Sequence, residues 1–140
     1  MEGDMSNRSG FTLIEILLVA VIIGALASIV MPRLGGKTDQ AMIAAAKIDI
    51  TSNVSTALKL YELDNGFFPT TEQGLTALVT KPTTQPVPRN WNGPYLEKFP
   101  QDPWGRPYIY KCPGTHGFAY DLYSLGRNNI DDETNINSWD

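Results

Sequence analysis

Glu15 is the only ionisable side chain between Phe11 and Pro32, a stretch that is otherwise almost wholly apolar. A carboxylate in such a run costs about 2.5–3.5 kcal/mol at the centre of a bilayer, and less toward its surface, so it needs a cationic partner. No Lys or Arg lies in the stretch. The cation therefore has two sources: another chain, or a new amino terminus exposed by cleavage nearby. A second group of reactive side chains lies near the other end. Asn128, Asn129, Asp131, Asp132, Glu133, Thr134 and Asn135 follow Gly126 and gather hard oxygen donors, the ligand type calcium prefers. Their spacing is not that of an EF-hand, and an acidic loop is also the ordinary composition of solvated surface.

Catalytic chemistry finds little support. His116 is the only histidine and sits between Gly114 and Gly117, where an exposed turn residue is the simpler reading. Cys112 is the only cysteine, cannot form an internal disulfide, and reads as a small core hydrophobe. No serine stands in a nucleophile elbow, no glycine-rich loop suits phosphate, and no His/Cys set has zinc spacing. Trp91, Trp104, Tyr108 and Tyr120 could line a sugar-binding face, yet in a proline-rich segment they read as the cover of a small core. The chain reads as a protein that is not an enzyme. A net charge of −4 without any Lys/Arg cluster argues against nucleic acid as a partner.

The elements that must position these groups follow from hydropathy. The 140 residues suit one compact domain with an appendage, and the 42% hydrophobic content is concentrated near the beginning. Residues 11–31 would make about 31 Å of helix, matching a bilayer core of about 30 Å. A cleaved secretory signal is the competing reading, since Ala25-Leu26-Ala27 has small residues spaced by one, but the apolar run continues past it. Over 38–63, Ile43, Ala46, Ile50, Val54, Ala57, Leu58 and Tyr61 recur at helical steps, predicting an amphipathic helix packed on the domain's own sheet. Pro32 and Gly35-Gly36 interrupt the join, leaving either one long bent helix or two consecutive ones. Asn65-Gly66 should end it. Segment 67–106 holds most of the ten prolines and reads as a loop-rich bridge with a short helix at 72–79. Residues 108–112 and 118–123 have strand composition, separated by a turn at 113–117. The fold class is α+β.

Gly10-Phe11-Thr12-Leu13-Ile14-Glu15, followed by the apolar run and Pro32, resembles the class III signal of type IV pilins and pseudopilins. That resemblance implies cutting by a prepilin peptidase after Gly10, methylation of the Phe11 amine, and pairing of Glu15 with the Phe11 amine of a neighbouring subunit. Methylation leaves the amine charged. The leader, 1–10, departs from the usual basic pattern by carrying Glu2 and Asp4 against Arg8. Arg33 and Lys37, beyond the apolar run, do not favour an outward orientation, which the resemblance alone implies.

Further along, Asp64-Asn65-Gly66-Phe67-Phe68-Pro69-Thr70-Thr71-Glu72-Gln73-Gly74-Leu75, Leu78-Val79-Thr80-Lys81-Pro82, Trp91 with Gly93-Pro94-Tyr95-Leu96, Asp102-Pro103-Trp104-Gly105-Arg106-Pro107-Tyr108 and Asp121-Leu122-Tyr123-Ser124-Leu125-Gly126 look like the major pseudopilins of type II secretion. The resemblance implies a pilin-like fold, in which a long helix with a membrane half and an amphipathic half packs on a small antiparallel sheet. It divides the chain into a leader at 1–10, a transmembrane and polymerisation helix at 11–32 and a periplasmic domain at 33–140. The implied function is that of a subunit of an inner-membrane-anchored periplasmic pseudopilus that drives export across the outer membrane. Its implied partners are copies of itself, the prepilin peptidase, minor pseudopilins and the inner-membrane secretion platform. The resemblance also implies a structural calcium ion held by the Leu125 carbonyl, Asn128, Asp131, Asp132 and Asn135. Asn128 and Asn135 stand where the family usually has aspartates. The rival readings are an adhesive or motility type IV pilin and a membrane-tethered binding domain.

Overall fold

A computed structural model describes residues 10–140, apart from the side chains of 29–37. The leader expected at 1–10 lies, but for Gly10, outside the described residues. The chain forms two compact units, one ending at Thr38 and the other Asp39–Asp140. The first helix, α1 (Leu13–Ile48), runs through that division. Helical backbone continues through Pro32, Gly35 and Gly36, so the join is one element. Proline there forfeits a single backbone hydrogen bond, which helical turns on both sides can outweigh.

In the first unit, Thr12 begins the helix. Its hydroxyl accepts from the Glu15 backbone N–H at 3.2 Å, and its carbonyl accepts from the same N–H at 3.1 Å, satisfying a donor that the first turn would leave open. Thr12-Leu13-Ile14-Glu15 has the spacing of a capping box, which fixes where the helix starts. Apolar side chains then face outward on every side: Leu13 is 88% exposed, Ile14, Ile16, Leu17, Leu18, Val21, Ile22 and Ile23 are exposed as well. The Ser28 hydroxyl donates to the Ala25 carbonyl at 2.7 Å, so this polar group within the apolar helix is satisfied internally. Among the described residues no helix is long and apolar enough to cross a membrane. The span expected at 11–31 includes positions whose side chains are outside that set.

In the second unit, the helix buries one face and then changes pitch. Ala46, Ile50 and Val54 recur every four residues, a step that drifts around an α-helix of 3.6 residues per turn. A π-helical stretch, Asp49–Val54, has a wider turn that takes up the drift. The Ser55 hydroxyl donates to the Ile50 carbonyl at 2.5 Å and accepts from Tyr120 Oη at 3.0 Å. Helix α2 (Ser55–Asn65) carries the face on through Ala57, Leu58 and Tyr61. It ends as expected at Gly66, whose φ of +82° is left-handed and whose N–H returns to the Glu62 carbonyl at 2.7 Å. Ile43, expected on the buried stripe, is instead 48% exposed. The covered face starts at Ala46, one turn later; Ile43 borders a surface hollow with Gln40 and Lys47.

Among the described residues, three strands complete the core: β1 (Ile109–Lys111), β2 (Asp121–Ser124) and β3 (Ile136–Asn137). They pair antiparallel in that order, with Tyr110 opposite Leu122 and Ser124 opposite Ile136. The central strand, β2, is buried along its whole length. The expected strand at 118–123 begins later than its composition suggested, because Phe118 is exposed in the preceding turn. The short helix expected at 72–79 is a single 3-10 turn, Leu75–Leu78. Trp91, Trp104 and Tyr120 pack against the core and Tyr108 is within it, which is the covering role rather than an open sugar platform. Trp91 donates its indole N–H to the Ala77 carbonyl at 2.9 Å.

Candidate functional site

Two places gather the residues that the sequence singles out. At the first, Phe11 lies just before α1, with Glu15 four positions on, so the two share a side of the chain one turn apart. They border one apolar hollow with Ile16 and Val19. Gly10 precedes them and is exposed, as is Phe11 at 80%. None of the ion pairs among the described residues involves Glu15. The helix therefore presents an unpaired carboxylate in an exposed apolar wall, a surface that is stable only once lipid or other apolar helices cover it.

At the second place, the loop between β2 and β3 is fastened by a turn that sequence reasoning missed. Asp102 is buried and accepts at Oδ1 from the backbone N–H groups of Trp104, at 3.1 Å, and Arg106, at 2.9 Å. Its Oδ2 accepts from the Ser124 hydroxyl at 2.7 Å. Ser124 Oγ in turn accepts from the Gly126 N–H at 3.1 Å, and the Arg106 guanidinium donates to the Gly126 carbonyl. The available signal was Asp102-Pro103-Trp104-Gly105, an aspartate opening a proline–glycine turn. The loop's far end is fixed by Lys47, whose ammonium donates to the Asn137 carbonyl at 2.9 Å.

Within the loop, Asn128 pairs with Asp132 and Asn135 with Asp131, and Leu125 lies just before Gly126 at its start. Asn128 Nδ2 donates to Asp132 Oδ2 at 2.9 Å and to Thr134 Oγ1 at 3.1 Å. Asn135 Nδ2 donates to Asp131 Oδ1 at 2.7 Å. Asp132 Oδ1 accepts from the Thr134 N–H at 2.8 Å and hydroxyl at 2.6 Å, and these two donors hold its pKa below the usual carboxylate range. A calcium ion takes six to eight oxygens. Here the amides turn N–H groups toward the carboxylates that a cation would need, and Asn135 Oδ1 is the loop's only buried side-chain oxygen without a partner among the described residues. No three His, Cys, Asp or Glu side chains group closely enough to hold a metal among those residues. In this arrangement amide N–H groups, rather than a cation, face the Asp131 and Asp132 carboxylates.

His116, the sole histidine, is tied to its neighbours. Its ring stacks on Trp139 with centroids 3.9 Å apart, and Nδ1 lies 3.0 Å from Asp121 Oδ2. Burial alone would raise the Asp121 pKa, but donors from Thr115 and His116 outweigh it and hold the carboxyl at about 2. Cys112 lies just after β1, packed against the core, its N–H donating to Thr71 Oγ1 at 2.9 Å.

The sequence of both places has relatives. Residues 5–31 match the prokaryotic N-terminal methylation motif, and residues 33–139 match the family described as type II secretion system, protein G. The chain belongs to the type II secretion system protein G family. Among curated members, the type II secretion system core protein G of Pseudomonas aeruginosa is 51% identical over 139 residues, covering 96% of each chain. That of Escherichia coli K12 is 46% identical over 135 residues, covering 95% of this chain and 92% of the other. A crystal structure of the major pseudopilin from the type 2 secretion system of enterohaemorrhagic Escherichia coli matches with a TM-score of 0.68 at 40% identity, covering 74% of this chain and 87% of that one. The α+β, pilin-like architecture expected of the protein G family is the one observed.

Proposed function

We propose that this chain is the major structural subunit of a type II secretion pseudopilus, a non-enzymatic protein anchored in the inner membrane with residues 33–140 in the periplasm. Prepilin peptidase removes the leader after Gly10 and methylates the Phe11 amine. Glu15 of an incoming subunit pairs with the Phe11 amine of its neighbour, which sets the register as the helices pack. Subunits added at the inner-membrane platform, with minor pseudopilins, extend the filament that pushes folded proteins outward.

The observation that carries this reading is Glu15, without an ion-pair partner among the described residues and set in a helix whose apolar side chains are exposed on all sides. In the membrane the subunit is held by its apolar surface; in the filament the same surface is covered by other copies. A charge of this kind specifies register more than it adds stability. The test is deletion of the gene followed by an assay of exoprotein secretion. Loss of secretion, restored by the intact gene and not by a Glu15→Gln copy, is the expected result; normal secretion in the deletion strain contradicts the reading.

A further inference from the structure

We infer that the loop between β2 and β3 is closed by amide–carboxylate hydrogen bonds in the place where a cation would otherwise be required, so that folding of this chain does not depend on calcium. The filament reading is separate from this inference, since loop closure can be measured whether or not the chain polymerises.

The argument starts from charge. Aspartates at 128 and 135 would put four carboxylates into this loop together with Asp131 and Asp132. A bound cation would relieve their mutual repulsion. Asparagine at both positions changes the sign of the local interaction. Each amide supplies N–H donors where an aspartate supplies only acceptors. Asn128 spans Asp132 and Thr134, and Asn135 reaches Asp131, so each of the two aspartates has an amide donor from within the loop.

The orientation of the two amides follows from their partners. The Ile130 backbone N–H donates to Asn128 Oδ1 at 3.1 Å, which leaves Nδ2 for the Asp132 carboxylate. An ionised Asp131 can only accept, so Nδ2 is the atom of Asn135 that lies 2.7 Å from its Oδ1. The turn also needs no ion to shape its backbone. Asn129 takes up the left-handed region at φ +57°, which asparagine tolerates, and both loop ends are held by Ser124, Arg106 and Lys47.

Thermal melts of the full chain in detergent, followed by circular dichroism with excess calcium or with EGTA, test the inference. The unmodified chain should melt at the same temperature in both. In Asn135→Ala, loss of the Asp131 contact should lower the midpoint by about 4–8 °C equally in both conditions. N128D/N135D supplies four carboxylates and should become calcium-dependent, melting about 4–8 °C higher with calcium or folding only in its presence. Calcium raising the midpoint of the unmodified chain, Asn135→Ala melting normally, or a folded double variant indifferent to calcium would each overturn the inference. Should the double variant fail to fold in either condition, the other two proteins decide it.

Discussion

The Ser124 hydroxyl donates to Asp102 Oδ2 at 2.7 Å, and both residues are buried. Through this bond the turn at 102–106 holds the end of β2 and the loop that follows it. Asp102 also accepts the N–H groups of Trp104 and Arg106, so its removal strands several donors at once. Asp102→Ala should destabilise the domain by about 3 kcal/mol, and Ser124→Ala by about 1 kcal/mol, read as shifts in urea midpoint. Equal effects of the two substitutions would show that the carboxylate is not the hub.

Asp121 sets an acid limit on stability. Its folded-state pKa is lowered to about 2 from an ordinary 3.8. A depressed carboxylate pKa contributes stability that is fully present above the unfolded value and is lost as pH falls toward the folded one. Stability should therefore decline from about pH 5 down to about pH 2, and Asp121→Asn should melt lower at pH 7 with a flatter profile over that window. Melts at stepped pH measure both; parallel profiles for the two proteins would contradict the assignment.

Two of the isoleucines on the amphipathic helix, Ile50 and Ile43, should respond differently. Ile50 is fully buried, and Ile50→Ala should cost about 3 kcal/mol through lost transfer energy and a residual cavity. Ile43 is half exposed, and Ile43→Ala should stay within about 0.5 kcal/mol. Denaturant unfolding of the pair locates where the covered face begins.

Glu15→Gln removes the charge while keeping size and hydrogen-bonding capacity. Because Glu15 is remote in sequence from the folded domain, the melting temperature should not change, whereas filament yield should fall by at least about tenfold, as a loss of 1.4 kcal/mol in subunit addition produces. Counting filaments by electron microscopy after overexpression measures this. Normal filaments would show that charge pairing does not set the register.

Much of this architecture was legible in the sequence because it depends on local chemistry. The stripe from Ile43 to Tyr61 declared the buried helix face, one turn too early at its start, and Asn65-Gly66 declared its end through a left-handed glycine. Glu15 stood out because a charge in an apolar run has no local explanation. What escaped depends on distant contacts. The π-helical turn is recorded in the Ser55 bonds to Ile50 and Tyr120, and Tyr120 is far away along the chain. Strand β3 has only Ile136 and Asn137, too short for any periodicity, and exists because β2 offers it an edge. In the loop, residue types pointed to calcium, while the amide donors' choice of carboxylate became visible only with their positions.

The most direct measurement of the central claim is the mass of the mature amino terminus after purification from membranes. The account predicts a chain beginning at Phe11 and carrying one added methyl group on its amine. A chain beginning at Ser28, or one retaining Met1 to Gly10, would contradict it.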